Sequence, residues 1–300
     1  MKKKYLYILA VLFILGCDSL FESLQKKTLP EAKKNFQTKL VEKVAVVQEV
    51  EAPLVELLNL VSYQSSVGEL SAYISLPLEM DKEHPAIIWI FGGFSNSIGS
   101  TAWNPGPRDN DQSASAFRKK GIVMMYPSFR GGNSNPGYIE GLYGEVDDII
   151  AAYEYLAAQL FVDANRIYLG GHSTGGTLAL LVAESTDKFR CIFSLGPVGD
   201  IRAYGEEYFY FDTSNLKEWE LRSPAYFLHS IITPTFIFEG TEGNIESLRN
   251  MKNSTRNTNI KFFEIKEADH FSIIAPLTEF LADKINRDQD PDGNINIMVI

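Results

Sequence analysis

Cysteine is scarce in this 300-residue chain, which holds only Cys17 and Cys191. Cys17 belongs to an N-terminal address segment, so the rest of the chain keeps one cysteine and can form no internal disulfide. Cys191 lies in the apolar run Cys191-Ile192-Phe193 and reads as a small buried hydrophobe, with nothing nearby to stabilise a thiolate. Histidine is nearly as scarce, with four residues, so chemistry that needs an imidazole has few places to find one. Basic charge is short as well: 28 Lys and Arg stand against 38 Asp and Glu, a net charge of -10. A phosphate backbone needs a basic footprint, which excludes nucleic acid as the main partner. No internal repeat is visible. At 45% hydrophobic and 22% charged, the chain has the composition of a globular protein with a sizeable core.

The N-terminus is an address rather than part of that core. Lys2, Lys3 and Lys4 precede an apolar stretch of roughly a dozen residues, too short to span a bilayer as a mature helix. The stretch ends in Ile14-Leu15-Gly16-Cys17, which resembles a bacterial lipoprotein signal and departs from it at Leu15, where a smaller residue is usual. That resemblance implies an acylated Cys17 holding the protein to a membrane of the bacterial cell envelope without a spanning helix. An ordinary secretory signal or an anchor helix is the alternative. Residues 18–55, rich in Lys, Glu and Gln, read as a tether with weak helix around Glu31–Val47.

From residue 56 to 286 strands alternate with helices. Val61–Ser66 and Glu69–Leu76 suggest a hairpin turning at Gly68. Ala86–Phe91 is a continuous apolar run of strand length, as in a strand covered on both faces. Ile122–Tyr126, Arg166–Leu169, Cys191–Leu195, Thr235–Phe238 and Ile260–Ile265 repeat the theme. Glu145–Leu160, Gly176–Glu184 and Ser272–Lys284 carry helical periodicity between them. The alternation predicts one α/β domain, with a mostly parallel eight-stranded sheet flanked by helices.

The most informative stretch is Arg166-Ile-Tyr-Leu-Gly-Gly-His-Ser-Thr-Gly-Gly176. It holds Gly171-His172-Ser173-Thr174-Gly175, a G-x-S-x-G pattern set between a predicted strand and a predicted helix. In that setting the turn is sharp and lifts the Ser173 hydroxyl above the sheet edge. Ser173 also comes to rest at a helix N-terminus, whose free N–H groups favour developing negative charge. The alternative is a tight strand-to-helix turn with an incidental serine.

With Tyr126-Pro-Ser-Phe-Arg-Gly-Gly132, Glu145-Val-Asp-Asp148, Leu221-Arg-Ser-Pro224 and Ile232-Thr-Pro-Thr-Phe-Ile-Phe-Glu-Gly240, the elbow gives a family-level resemblance. From about residue 60 to 285 the chain resembles the α/β-hydrolase superfamily, in its prolyl-oligopeptidase (S9-type) and dienelactone-hydrolase-like branch. The resemblance implies a serine hydrolase forming an acyl-enzyme on Ser173, with no metal and no organic cofactor. The β-propeller of prolyl oligopeptidases is not in this sequence, which shifts weight from peptides toward esters. A small-molecule ester is thus the expected substrate, a peptide the alternative, and a non-catalytic membrane-anchored binding lipoprotein the reading of another class.

A serine hydroxyl needs a neighbouring base. His84 stands at the wrong end of the sheet, His172 is the elbow's variable residue, and His229 lies in a helical stretch before a strand. His270, in Glu267-Ala-Asp-His-Phe271 after the last strand, matches the chain order of this fold and resembles the family's His loop. For the acid that orients it, the position where the family usually carries Asp holds Gly243 or Asn244. Glu242 is the nearest carboxylate and Asp200 its main rival, with Glu239 and Glu246 behind them. The oxyanion donors expected are the N–H groups of Thr174 and of Phe94 or Gly93, in a loop resembling the family's His-Gly-Gly loop with Phe91 in place of the His.

Two features remain. An insertion around 200–232 carries Tyr204, Tyr208, Phe209, Tyr210, Phe211 and Trp219; it either caps the site with an aromatic pocket or packs as a plain helical cap. In the tail, 287–300, Asp288-Gln-Asp-Pro-Asp-Gly-Asn294 imitates half a calcium loop. The closing Glu is missing and Val299 stands in its place, so a solvated polar turn is expected. Oligomeric state has no signal in the sequence.

Overall fold

The computed structural model describes residues 26–53, 56–290, 293 and 295–297. Cys17 and the address segment lie outside the described residues. The sheet has eight strands: β1 (Asn59–Ser65), β2 (Gly68–Ile74), β3 (His84–Ile90), β4 (Val123–Pro127), β5 (Val162–His172), β6 (Cys191–Leu195), β7 (Thr235–Gly240) and β8 (Ile260–Ile265). Their spatial order is β1-β2-β4-β3-β5-β6-β7-β8. β1, β2 and β4 pair antiparallel, and every pair from β4–β3 onward is parallel. This is the α/β-hydrolase fold.

The helices are α1 (Leu29–Lys33), α2 (Ala116–Lys119), α3 (Glu145–Ala157), α4 (Thr174–Ala183), α5 (Leu216–Glu220), α6 (Ile245–Ser254) and α7 (Ile274–Arg287). Period-2 alternation lets one strand feed two cores. Ala86, Ile88 and Ile90 of β3 join the cluster under α3 and α4. Ile87 and Trp89 join the one beneath α2 and α7. Strand order reverses between β3 and β5, so a crevice opens at the carboxyl ends of those two strands. The loop after β3 and the turn after β5 meet there.

The sequence blocks that carry the family resemblance are joined in space. Arg130 donates from Nε and a terminal nitrogen to the two oxygens of Asp148, at 3.0 and 2.9 Å, with both residues buried. This bidentate pair ties the loop after β4 to the first turn of α3. Arg222, fully buried, pairs with Glu218 at 2.5 Å and donates to the Glu140 carbonyl.

Two expectations change. Beyond α1, residues 34–47 form no helix and lie on the domain as an extended strap rather than a free tether. Its N–H at Val46 reaches the Gly131 carbonyl at 2.7 Å, and the Ile139 N–H reaches the Val44 carbonyl at 2.9 Å. Lys39 donates its N–H to Glu218, and Leu40 bridges Phe211. In the tail Asp288 is not in a solvated turn but buried, accepting from Tyr168 Oη and Arg190 Nε, each at 2.7 Å. Arg190 sits just before β6 and draws the carboxylate inward, so the apparent first calcium ligand is an internal ion pair.

Candidate active site

The turn from β5 to α4 has the geometry that the glycine pattern demands. Ser173 sits at φ 58°, ψ -119°, a conformation that costs a non-glycine residue about 1–3 kcal/mol. Gly171 passes so close to the helix that a Cβ there would lie 2.5 Å from the Gly175 carbonyl oxygen. Gly175 in turn abuts the Ile90 and Phe91 carbonyls. The Ser173 side chain makes no cap bond, while its N–H is anchored 2.8 Å from the Leu195 carbonyl.

That anchor brings serine and histidine together. Gly196 follows Leu195 at φ 63°, and His270 packs on it so tightly that a Cβ would lie 2.5 Å from the ring carbon Cε1. His270 therefore lies at the same corner of the β6 terminus that holds Ser173. His270 Nδ1 is 3.0 Å from Glu239 Oε2, with Glu239 buried at the end of β7.

Glu242 and Asp200, the two expected acids, are not at the imidazole. Glu242 is exposed, and its N–H bonds the Ala268 carbonyl. Asp200 caps a short 3-10 turn, accepts from the N–H of Arg202 and pairs with the Arg202 guanidinium. Glu246 pairs with Arg249 at 2.9 Å. Glu239 is in place because a strand end aims its side chain at the crevice, and because Gly243 leaves room for it. Its other oxygen accepts the Gly240 N–H at 2.7 Å. The resemblance to the family directed attention past the strand into the loop, whereas the carboxylate belongs to the strand itself.

The loop after β3 lies against the elbow. Thr174 Oγ1 donates to the Gly93 carbonyl. As the first residue of α4, Thr174 has an N–H without an intrahelical acceptor. Among the described residues the N–H groups of Gly93 and Phe94 likewise have none. Among the described residues none of these three candidate donors has a backbone acceptor. A pocket opens behind this loop, apolar on the walls formed by Phe94, Phe129, Ile139, Leu142, Leu178 and Phe209.

The aromatic insertion divides into both expected roles. Phe209, Phe211 and Trp219 pack as a small core of their own. Tyr204 and Tyr208 instead face the loop after β3, Tyr208 stacking on Phe94 at 4.3 Å between centroids. The Tyr204 hydroxyl bonds Thr177 Oγ1 at 2.7 Å and faces Ser173, and burial pushes its pKa up. Tyr204 was marked only as part of the aromatic insertion, and Gln112, which contacts His172, carried no signal in the sequence.

Comparison with known proteins bears on the fold. Residues 108–243 match the model of the prolyl oligopeptidase family. Inactive dipeptidyl peptidase 10 of Rattus norvegicus is 32% identical over 65 residues, 21% of this chain and 8% of that protein. Among solved structures, dipeptidyl peptidase 4 of Porphyromonas gingivalis is similar at 19% identity and a TM-score of 0.59, over 75% of this chain and 35% of that one. A puromycin-hydrolysing peptidase of Mycobacterium tuberculosis gives 15% identity and a TM-score of 0.63, over 77% of this chain and 39% of that one. Thermogutta terrifontis esterase 2 gives 19% identity and a TM-score of 0.54, over 76% and 92%. The chain therefore spans little more than a third of the peptidases' length and most of the esterase's. At these identities the likeness is one of fold.

Proposed function

We propose that this serine hydrolase cleaves a carboxylic ester through an acyl-enzyme on Ser173, with His270 as general base and Glu239 as the acid that orients it. The observation that carries the reading is the His270–Glu239 contact beside a strained elbow serine, next to the candidate N–H donors. Ser173 Oγ attacks the ester carbonyl while His270 Nε2 takes its proton. The imidazolium is stabilised by the buried Glu239 carboxylate, and the N–H groups of Thr174 and Phe94 receive the oxyanion. Collapse expels the alcohol, protonated by His270. Water activated by the same imidazole then attacks the acyl-enzyme and releases the acid and Ser173. Every step uses side chains and backbone groups of this chain, and no cofactor enters.

The pocket behind the oxyanion loop is small, and Asn96 and Glu145 line it beside its apolar walls, so the choice between ester and amide rests on the assay. A serine peptidase is the second reading, favoured by the match to the prolyl oligopeptidase family. A binding lipoprotein without activity is the reading that the proposed triad opposes. Hydrolysis of p-nitrophenyl acetate and butyrate beside aminoacyl p-nitroanilides decides among them. Ester turnover lost in Ser173→Ala supports the proposal, faster anilide turnover supports the peptidase, and neither activity supports the binding protein. We also propose, from the Lys2–Lys4 head, the apolar stretch and Gly16-Cys17, that Cys17 is acylated and anchors the protein in a bacterial envelope membrane. Incorporation of labelled palmitate that survives Cys17→Ser would remove that part.

A further inference from the structure

His172, the variable residue of the elbow, is fully buried, and both of its ring nitrogens meet a polar partner. Nδ1 lies 3.0 Å from Gln112 Nε2, and Nε2 lies 2.8 Å from the backbone oxygen of His270. A carbonyl oxygen only accepts, so Nε2 carries the proton and donates. The Gln112 amide is oriented by its other contacts: Nε2 also donates to Asn110 Oδ1 at 3.0 Å, and Oε1 faces the Gly92 N–H at 3.4 Å. Gln112 then donates to Nδ1, and His172 is the neutral Nε2–H tautomer. Burial and the neighbouring His270 hold its pKa down at about 3, so the tautomer persists across the working range.

The contacts form one line across three loops. Gly92 opens the oxyanion loop, His172 precedes the nucleophile, and His270 is the base. A side chain at Gly92 would crowd the elbow, since a Cβ would lie 3.1 Å from His172 Nδ1 and 3.2 Å from Ser173 Cβ. The His172 and His270 rings are 4.5 Å apart. A neutral ring at that distance tolerates the imidazolium formed during turnover, where a charged one would repel it.

We propose that His172 and Gln112 are positioning residues: together they fix the His270 loop and the oxyanion loop against the nucleophile elbow. His172 holds the main chain of the base, and the residue that follows it is the nucleophile. The spacing between Ser173 and His270 is thereby held by this hydrogen bond together with the packing of His270 on Gly196. This rests on Ser173 and His270 acting as nucleophile and base.

The test is kcat, KM and melting temperature of the full chain with p-nitrophenyl butyrate, for wild type and His172→Gln, His172→Asn, His172→Phe and Gln112→Leu. Glutamine keeps an N–H near the place of Nε2 and so keeps the bond to His270. Asparagine reaches only as far as Nδ1, and phenylalanine makes neither bond. Because a misplacement of about 1 Å costs on the order of a hundredfold, His172→Phe and His172→Asn are expected to lose roughly 10- to 100-fold in kcat at nearly constant KM. His172→Gln should recover most of kcat, and Gln112→Leu should lose about tenfold. Wild-type kcat in His172→Phe would overturn the inference, as would a loss in His172→Gln equal to that in His172→Asn. If phenylalanine unfolds the protein, the glutamine–asparagine pair still decides. Absence of Ser173-dependent turnover in the wild type would remove the hydrolase reading itself, a separate result from equal turnover in wild type and variants.

Discussion

Glu239 fills the space that a side chain at Gly243 would need: a Cβ at Gly243 would lie 2.5 Å from Glu239 Oε1. The carboxylate at His270 thus comes from the strand, and the loop beyond it supplies an opening and the Asn244 amide, 3.5 Å from His270 Nδ1. A longer side chain on β7 and a missing side chain on the loop are two halves of one arrangement.

Glu239→Gln should lower kcat by about a thousandfold with little change in KM, since an amide neither enforces the tautomer nor stabilises the imidazolium. Glu242→Gln and Asp200→Asn should stay within about threefold of wild type, as substitutions away from the imidazole. Steady-state ester hydrolysis by the three variants checks this, and a larger loss in Glu242→Gln would return the role to the loop.

Ser173→Gly should abolish turnover and yet stabilise the fold by about 1 kcal/mol, because glycine relieves most of the strain at φ 58°. Ser173→Ala keeps the Cβ and the strain, so it should melt close to wild type. Thermal unfolding of both separates strain from the loss of the hydroxyl.

Glu184, at the end of α4, is buried with both carboxyl oxygens unpartnered among the described residues, and burial raises its pKa well above the usual range. The unfolded side chain ionises near pH 4.3, so below that pH both states hold the proton and the group costs nothing through ionisation. As pH rises from there toward the folded value, only the unfolded state sheds its proton, and stability falls. Glu184→Met should therefore stabilise by about 1–3 kcal/mol at pH 8 and by less at pH 5. Urea unfolding at the two pH values measures the difference, and an equal gain at both would refute the linkage.

Arg222 and Glu218 are both fully buried, and Glu218 also receives the Lys39 N–H and the Thr38 hydroxyl of the strap. Glu218→Ala leaves a buried guanidinium unpaired and should cost about 3–5 kcal/mol. Limited proteolysis should then cut within residues 34–46 faster than in the wild type. An intact strap with a lowered melting temperature would show that its backbone bonds to Gly131 and Ile139 suffice to hold it.

The local chemistry of this protein was written in its sequence. Apolar runs of strand length, 3.6-residue periodicity and the Gly171-to-Gly175 spacing depend on neighbours within a few positions, and they placed the sheet, the helices and Ser173. His270 followed because so few histidines stood in a loop after a strand. The strap was not legible, because its backbone bonds to Gly131 and Ile139 join segments about ninety residues apart, and nothing in its polar composition marks them. Asp288 looked like a solvated turn for the same reason: Arg190, nearly a hundred residues away, is what buries it. Glu239 ranked behind Glu242 and Asp200 because reach and direction, not sequence order, decide which carboxylate meets an imidazole. Glu239 and Glu242 are three residues apart, and only the pleat of β7 and the gap at Gly243 turn one inward and leave the other in solvent.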